Sequence, residues 1–237
     1  MAATPPPPHT LKGYDEELER AQQLVLQMGA RVERQAHDAI ECLRHGSGAL
    51  IAQVLWHEGV INALERAIDE LASGIIARRQ PAAGDLRLLT AVLKVTTDLE
   101  RVGDEAKKIA LQARKQAQDG SRLPRISDLH WMAEEAVAML HDALTAFERL
   151  DLAGTAEIIR RDSEVNDGFR AVLRELISFM IEDPRTISPC LDLLLVAKAV
   201  ERIGDHAKNI AEHAIYAVKG TDVRHVTVAD VEREVRG

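Results

Sequence analysis

The chain has 237 residues, and 30 Lys and Arg against 38 Asp and Glu leave a formal charge of −8. With no block of Lys and Arg, that balance opposes a nucleic-acid partner, which needs a concentrated basic face to displace counterions. Aromatics make up 3% while Ala, Leu, Ile and Val abound between charged residues, the composition of packed helices rather than strands.

Residues 1–12 form a Pro-rich tail without an apolar h-region, so the reading is a disordered arm and neither a signal peptide nor an anchor. The first helix is predicted from Tyr14 to Leu43, with Leu18, Leu24, Val25, Met28, Val32 and Ile40 at helical spacing. His45-Gly46-Ser47-Gly48 stops it. The second runs from Ala49 to Arg79 on Ile61, Leu64, Ile68, Leu71 and Ile75, and Pro81 ends it. A third starts with Asp85 as N-cap, its short side chain accepting from first-turn amides, and closes at Asp119-Gly120.

Leu123-Pro124-Arg125 breaks the pattern near the midpoint. The fourth helix is predicted from Ser127 to Leu150, the fifth from Thr155 to Ile181, and the sixth from Ser188 to Lys219. Ser188-Pro189 reads as N-cap and first helical residue, with Gly220 as the stop. The tail at 221–237, with Val223, Val226, Val228 and Val231, has no assigned element beyond a short docking segment. No uninterrupted apolar run approaches the roughly 18 residues of a membrane span, so membrane association would run through a partner without direct insertion. Cys42 and Cys190 stand alone, which reads as buried reduced thiols in the cytoplasm.

An internal repeat organises these six helices. Glu100-Arg101-Val102-Gly103-Asp104-Glu105-Ala106-Lys107-Lys108-Ile109-Ala110 returns 101 residues later as Glu201-Arg202-Ile203-Gly204-Asp205-His206-Ala207-Lys208-Asn209-Ile210-Ala211, identical at 8 of 11 positions. At an offset of 104, His37-Asp38-Ala39-Ile40 matches His141-Asp142-Ala143-Leu144, and Glu58 with Asn62 matches Asp162 with Asn166. All three helices of one half thus have counterparts. The expected fold is all-α: two tandem, internally repeated three-helix bundles at 13–120 and 121–220.

Each motif stacks two carboxylates at i, i+4 and places a Gly inside a helix. Both are unfavourable alone, by a few tenths of a kcal/mol and by roughly 1 kcal/mol. A cation or a close-approaching partner would repay them. On a helical wheel Leu99, Val102, Ala106, Ile109 and Ala113 share one arc that excludes Glu100 and Asp104, and the second copy behaves alike. Glu58, Asn62, Glu65 and Asp69 form a comparable stripe on the second helix, so two oxygen-rich faces per unit are placed to meet at a groove. Carboxylate and amide oxygens suit hard or borderline cations such as Mg²⁺, Mn²⁺, iron or zinc, with His57 and His206 as further candidates.

Plainer readings stand beside these. Asp104 can pair with Lys107 or Lys108, and Asp205 with Lys208, as a solvated charged face. Gly103 and Gly204 can serve close helix packing, and Arg101 and Arg202 local ion pairs or a clamp on a neighbouring helix. His37 and His141 read as partly buried histidines beside the apolar seam. No His has Glu three residues before it, as a ferritin-like two-metal centre requires, and no HExxH, phosphate-cradling loop or nucleophile context is present. No catalytic residue is assigned, and a helical spacer remains a further alternative.

The two motif copies, with Arg78-Arg79-Gln80-Pro81-Ala82-Ala83-Gly84-Asp85-Leu86-Arg87, Glu182-Asp183-Pro184-Arg185-Thr186 and Arg224-His225-Val226, resemble the PhoU family of phosphate-uptake and phosphate-signalling regulators. The resemblance runs from Leu11 to the C-terminus. It implies tandem three-helix bundles and multinuclear metal binding through E/DxxxD motifs, here Glu100 with Asp104 and Glu201 with Asp205. The companion motifs fall on Glu58 with Asn62 and Asp162 with Asn166, where Asn replaces the Asp that would complete each pair. The resemblance further implies a homodimer that represses the phosphate-starvation response, bridging the ATPase subunit of an ABC phosphate transporter and a sensor histidine kinase. A metal-storage or enzymatic carboxylate bundle is the alternative.

Overall fold

A computed structural model describes residues 12–119 and 126–236. Seven α-helices follow one another: α1 Lys12–His45, α2 Gly48–Arg79, α3 Ala83–Asp119, α4 Ser127–Arg149, α5 Thr155–Glu182, α6 Ile187–Lys219 and α7 Val228–Arg236. There is no strand among the described residues. Residues 1–11 of the arm expected at 1–12, the Gly120 stop and the Leu123-Pro124-Arg125 break lie outside those residues, and Lys12 begins α1 instead of ending the arm.

Helix α1 packs on α2 and α3, and α4 on α5 and α6, which gives two three-helix bundles. The expected stripes form their interiors: Val25, Met28 and Val32 of α1 meet Ile61, Ile68 and Ile75 of α2 and Leu99, Val102 and Ile109 of α3 in one apolar cluster. The bundles are not separate bodies. The most extensive helix pairing is α3 against α6, with α1 against α4 beside it, so the apolar cluster runs through both halves.

Three helix stops follow from backbone chemistry. Gly220 sits in the left-handed region at φ 78°, where a residue without Cβ is unstrained, and its N–H donates to the Tyr216 carbonyl at 2.9 Å. Gln80 and Leu150 take the same conformation at φ 51° and 49°, and Pro81 then prevents α2 from continuing.

Several sequence expectations need correction. Asp85 is not the N-cap of α3, which starts at Ala83, and its carboxylate instead accepts from the Tyr14 hydroxyl at 3.0 Å. Ser188-Pro189 lies inside the first turn of α6, because a 3-10 turn at Pro184–Thr186 brings the chain into helix earlier. Asp183 organises that turn by accepting from the Arg185 amide at 3.0 Å. Residues Val228–Arg236 form a seventh helix that packs on α5 and buries Val231, while Val223 is buried ahead of it. His37 and His141 are exposed, with 67% and 61% of their side-chain surfaces open. Both point away from the seam, since neighbouring Ala36, Ala39 and Ala143 take the buried positions.

Candidate functional site

The motif faces do meet their companions. In the first bundle burial, then Asp104, Glu65 and Glu58 raise the pKa of Glu100, which places these acids of α2 and α3 in one electrostatic group. In the second, burial followed by Asp162 and Glu201 raises that of Asp205. Asn166 donates to Asp162 at 3.3 Å, whereas Asn62 is half-buried one turn beyond Glu58.

Each groove contains its own cation. The Lys107 ammonium donates to Glu58 at 3.1 Å, and Lys208, its counterpart in the repeat, donates to Asp162 at 2.9 Å. Burial opposes the charge on Lys208, but the bond to Asp162 and that acid's charge prevail and raise its pKa. Lys198 is ion-paired to Glu201. The lysines therefore reach across to the companion helix rather than pairing with Asp104 and Asp205, as the plainer reading expected. Lys108 instead holds Glu105 at 2.9 Å.

The oxygen donors are those a hard cation takes. Yet among the described residues no three His, Cys, Asp or Glu side chains converge in a metal-holding group, and an ammonium already sits on each companion acid. The residues suit such a cation by chemistry but not in this arrangement. His206 lies outside the second groove's acid pair, since its Nδ1 is 2.8 Å from Asp98. His57 is buried with its ring edge-on to Trp56, centroids 5.0 Å apart, and burial followed by the charge of Arg31 lowers its pKa.

Of the motif glycines, Gly103 serves close packing and Gly204 has room for a methyl group. A Cβ on Gly103 would stand 3.0 Å from Gln35 Oε1, and one on Gly204 3.4 Å from Val165.

A polar network on the α3–α6 seam escapes the sequence reading. Asp98 is buried; His206 Nδ1 and Asn209 Nδ2 lie 2.8 and 3.1 Å from its Oδ1, and His213 Nε2 lies 3.1 Å from its Oδ2. Burial alone would raise the Asp98 pKa. The bonds from His206, His213 and Asn209 outweigh it and hold the carboxyl well below its usual range. Two helical turns on, buried Glu105 accepts from Lys108 of its own helix and from Arg202 of α6 at 3.2 Å, so Arg202 is the clamp that the repeat suggested. A cleft of about 570 Å³ over this part of the seam joins Arg101, Lys108 and Arg202 to Asp104 and Asp205. The signal that marks these residues is where the repeat breaks: Glu105 against His206 and Lys108 against Asn209 are two of its three mismatches.

The PhoU domain family model matches residues 25–113 and again 129–214. A Burkholderia protein named phosphate-specific transport system accessory protein PhoU homolog is 47% identical over 229 residues, covering 95% of this chain and 97% of its own length. The crystal structure of PhoU from Pseudomonas aeruginosa superposes with a TM-score of 0.85 at 40% identity, over 88% of this chain and 100% of that one. A phosphate transport system regulatory protein PhoU from Streptococcus pneumoniae gives 0.80 at 26% identity, over 89% and 99%.

Proposed function

We propose, because this chain belongs to the PhoU family, that it is an accessory regulator of phosphate transport that holds the phosphate-starvation response off while phosphate is plentiful. The observation that carries this reading is the match of both repeats, at high identity, along nearly the whole chain. In this reading the protein works in the cytoplasm as a homodimer without catalysis of its own. It docks the ATPase subunit of an ABC phosphate transporter and a phosphate-sensing histidine kinase, and favours the kinase's inhibitory state. No helix among the described residues is long and apolar enough to cross a membrane, so in this reading contact with membrane components is by docking. A docking role is supported by exposed Ile177 and Ile181 at the end of α5 and Ile187, Leu191 and Leu195 at the start of α6, Ile181 being 77% open. Grouped aliphatic surface of this kind marks interaction sites.

Removal of the gene is expected to switch on a phosphate-starvation reporter in phosphate-rich medium. An unchanged reporter would sink the regulatory reading. Ile181→Asp with Leu195→Asp is expected to abolish capture of the transporter ATPase or kinase in a pulldown while leaving the helical circular dichroism intact.

Metal binding belongs to the same reading as a second proposal. Burial, and then the repulsion of neighbouring acids, raises Glu100 and Asp205, and Mg²⁺, Mn²⁺, iron or zinc at Glu100, Asp104, Glu58 and Asn62, and at Glu201, Asp205, Asp162 and Asn166, would relieve that repulsion. Lys107 and Lys208 compete with the ion for the companion acids. Lys208→Ala is therefore expected to tighten Mn²⁺ binding in a calorimetric titration by about tenfold. Equal or weaker binding would show that the lysine is no competitor.

A further inference from the structure

The α3–α6 seam carries a second cleft, of about 250 Å³, that shares Arg101 and Asn209 with the larger one. Lys94, Arg101 and Arg224 line it, and Asp98 forms part of its wall. Lys94 and Arg101 are seven residues apart on α3, two turns of one face, and Arg224 reaches in from the segment between α6 and α7.

Of the acids nearby, Asp98 and Asp222 are already engaged, and buried Glu212 acts on Arg224 through its charge without a hydrogen bond to it among the described residues. Asp98 gives both oxygens to His206, Asn209 and His213, as described. Asp222 pairs with Arg224 and accepts both the Arg224 amide and its guanidinium. By contrast, Lys94 and Arg101 are in no ion pair among the described residues. The Lys94 ammonium lies over the Tyr216 ring at 5.0 Å, a contact that positions it without neutralising it. In a chain of net charge −8, two cations outside any contact ion pair, with Asp222 in electrostatic range of Lys94 and Glu100 in that of Arg101, and a third that is only locally paired converge on one small opening.

We propose that this cleft is a binding site for a phosphate-class oxyanion, with Lys94 and Arg101 as its principal ligands and Arg224 as a third arm. The chemistry favours phosphate over a simple carboxylate. A dianion with several acceptor oxygens matches a planar guanidinium fork and an ammonium acting together, where a monoanion would leave donors unused. The size agrees, because the cleft falls below the roughly 300 Å³ at which pockets begin to enclose whole organic ligands. It accommodates inorganic phosphate or a phosphoryl group projecting from something larger. Any occupant also touches the joint between the two bundles, since Arg101 borders both clefts.

The proposal goes beyond the regulatory reading and does not depend on it, because it is tested with purified protein and no partner. The full chain is titrated with inorganic phosphate at low ionic strength by calorimetry, in parallel with flotation on phosphatidic acid vesicles. Saturable phosphate binding is expected, weakened about tenfold by Arg101→Gln and by Lys94→Gln. Arg66→Gln, on α2 away from the cleft, is expected to leave it unchanged. Both cleft side chains are at least partly open to solvent, and circular dichroism of the variants confirms that they fold. Response to free phosphate identifies the free anion as the source. A response to vesicles alone that is lost in Arg101→Gln identifies a lipid phosphoryl group. No saturable response in either arm, or variants that bind as the parent does, would overturn the site.

Discussion

Asp98 is a buried carboxylate whose two oxygens are both taken by donors from another helix, and that makes it the best test of what a single residue contributes. Its folded pKa lies below the unfolded value of about 3.9. The ionised form therefore adds stability that is fully present above that value and is lost as pH falls from about 4 toward the folded pKa. Asp98→Asn removes the charge and sets an amide N–H against a histidine. At pH 7 it is expected to cost roughly 2 to 3 kcal/mol in urea unfolding. The gap to the parent protein is expected to narrow as pH falls below about 4, and a gap constant with pH would refute the charge-assisted role. No local spacing in the sequence announces this residue, because its partners lie more than a hundred positions away. The acid pairs Glu100 with Asp104 and Glu201 with Asp205 are legible because they repeat at a helical interval. The counter-cations are only half legible: Lys107 and Lys208 repeat too, but one-dimensional spacing favoured pairing within their own helix.

At the scale of the element, the apolar wheel locates the six long helices, since a period of 3.6 over 23 to 37 residues has no competing interpretation. Their starts are less legible, because a cap residue identifies a boundary only when no upstream turn already enters the helix, as Pro184–Thr186 does before α6. Helix α7 is short and Val-rich, a composition with weak helical preference, and it owes its place to burial of Val231. The motif glycines separate propensity from packing. Gly204→Ala adds helix propensity of about 1 kcal/mol and brings its Cβ into ordinary contact with Val165, so a higher Tm is expected. Gly103→Ala drives a Cβ to 3.0 Å from Gln35 Oε1. Gln35 is fully buried and its amide is tied to the Val54 carbonyl at 3.0 Å and to Glu58 at 3.3 Å, so it has little room to retreat. Gly103→Ala is expected to lower Tm. Thermal melts showing the same sign for both substitutions would remove the packing explanation.

For the whole molecule, the tandem repeat implies two units, but the seam implies one cooperative body. A perfect repeat would put Glu at 206 and Lys at 209, so that a carboxylate and an ammonium would stand where His206 and Asn209 reach Asp98. The chain departs from its own repeat at those positions, so that His206 and Asn209 of α6 hold Asp98 of α3 while Glu105 of α3 takes Lys108 and Arg202. Further ties join the halves: Arg44 of α1 pairs with Glu134 of α4, and along the seam Lys115 of α3 holds Asp192 of α6 at 2.8 Å. With the apolar cluster continuous through both halves, neither bundle can open without exposing core belonging to the other. The full chain is expected to unfold in urea as a single transition, with helical circular dichroism and Trp fluorescence coincident, Trp56 reporting on the first bundle and Trp131 on the second. Asp98→Asn is expected to move that one transition to lower urea with its slope kept. Two resolved transitions, or a substitution that shifts only one Trp signal, would show that the seam is a contact between independent domains and that signals at one bundle need not reach the other.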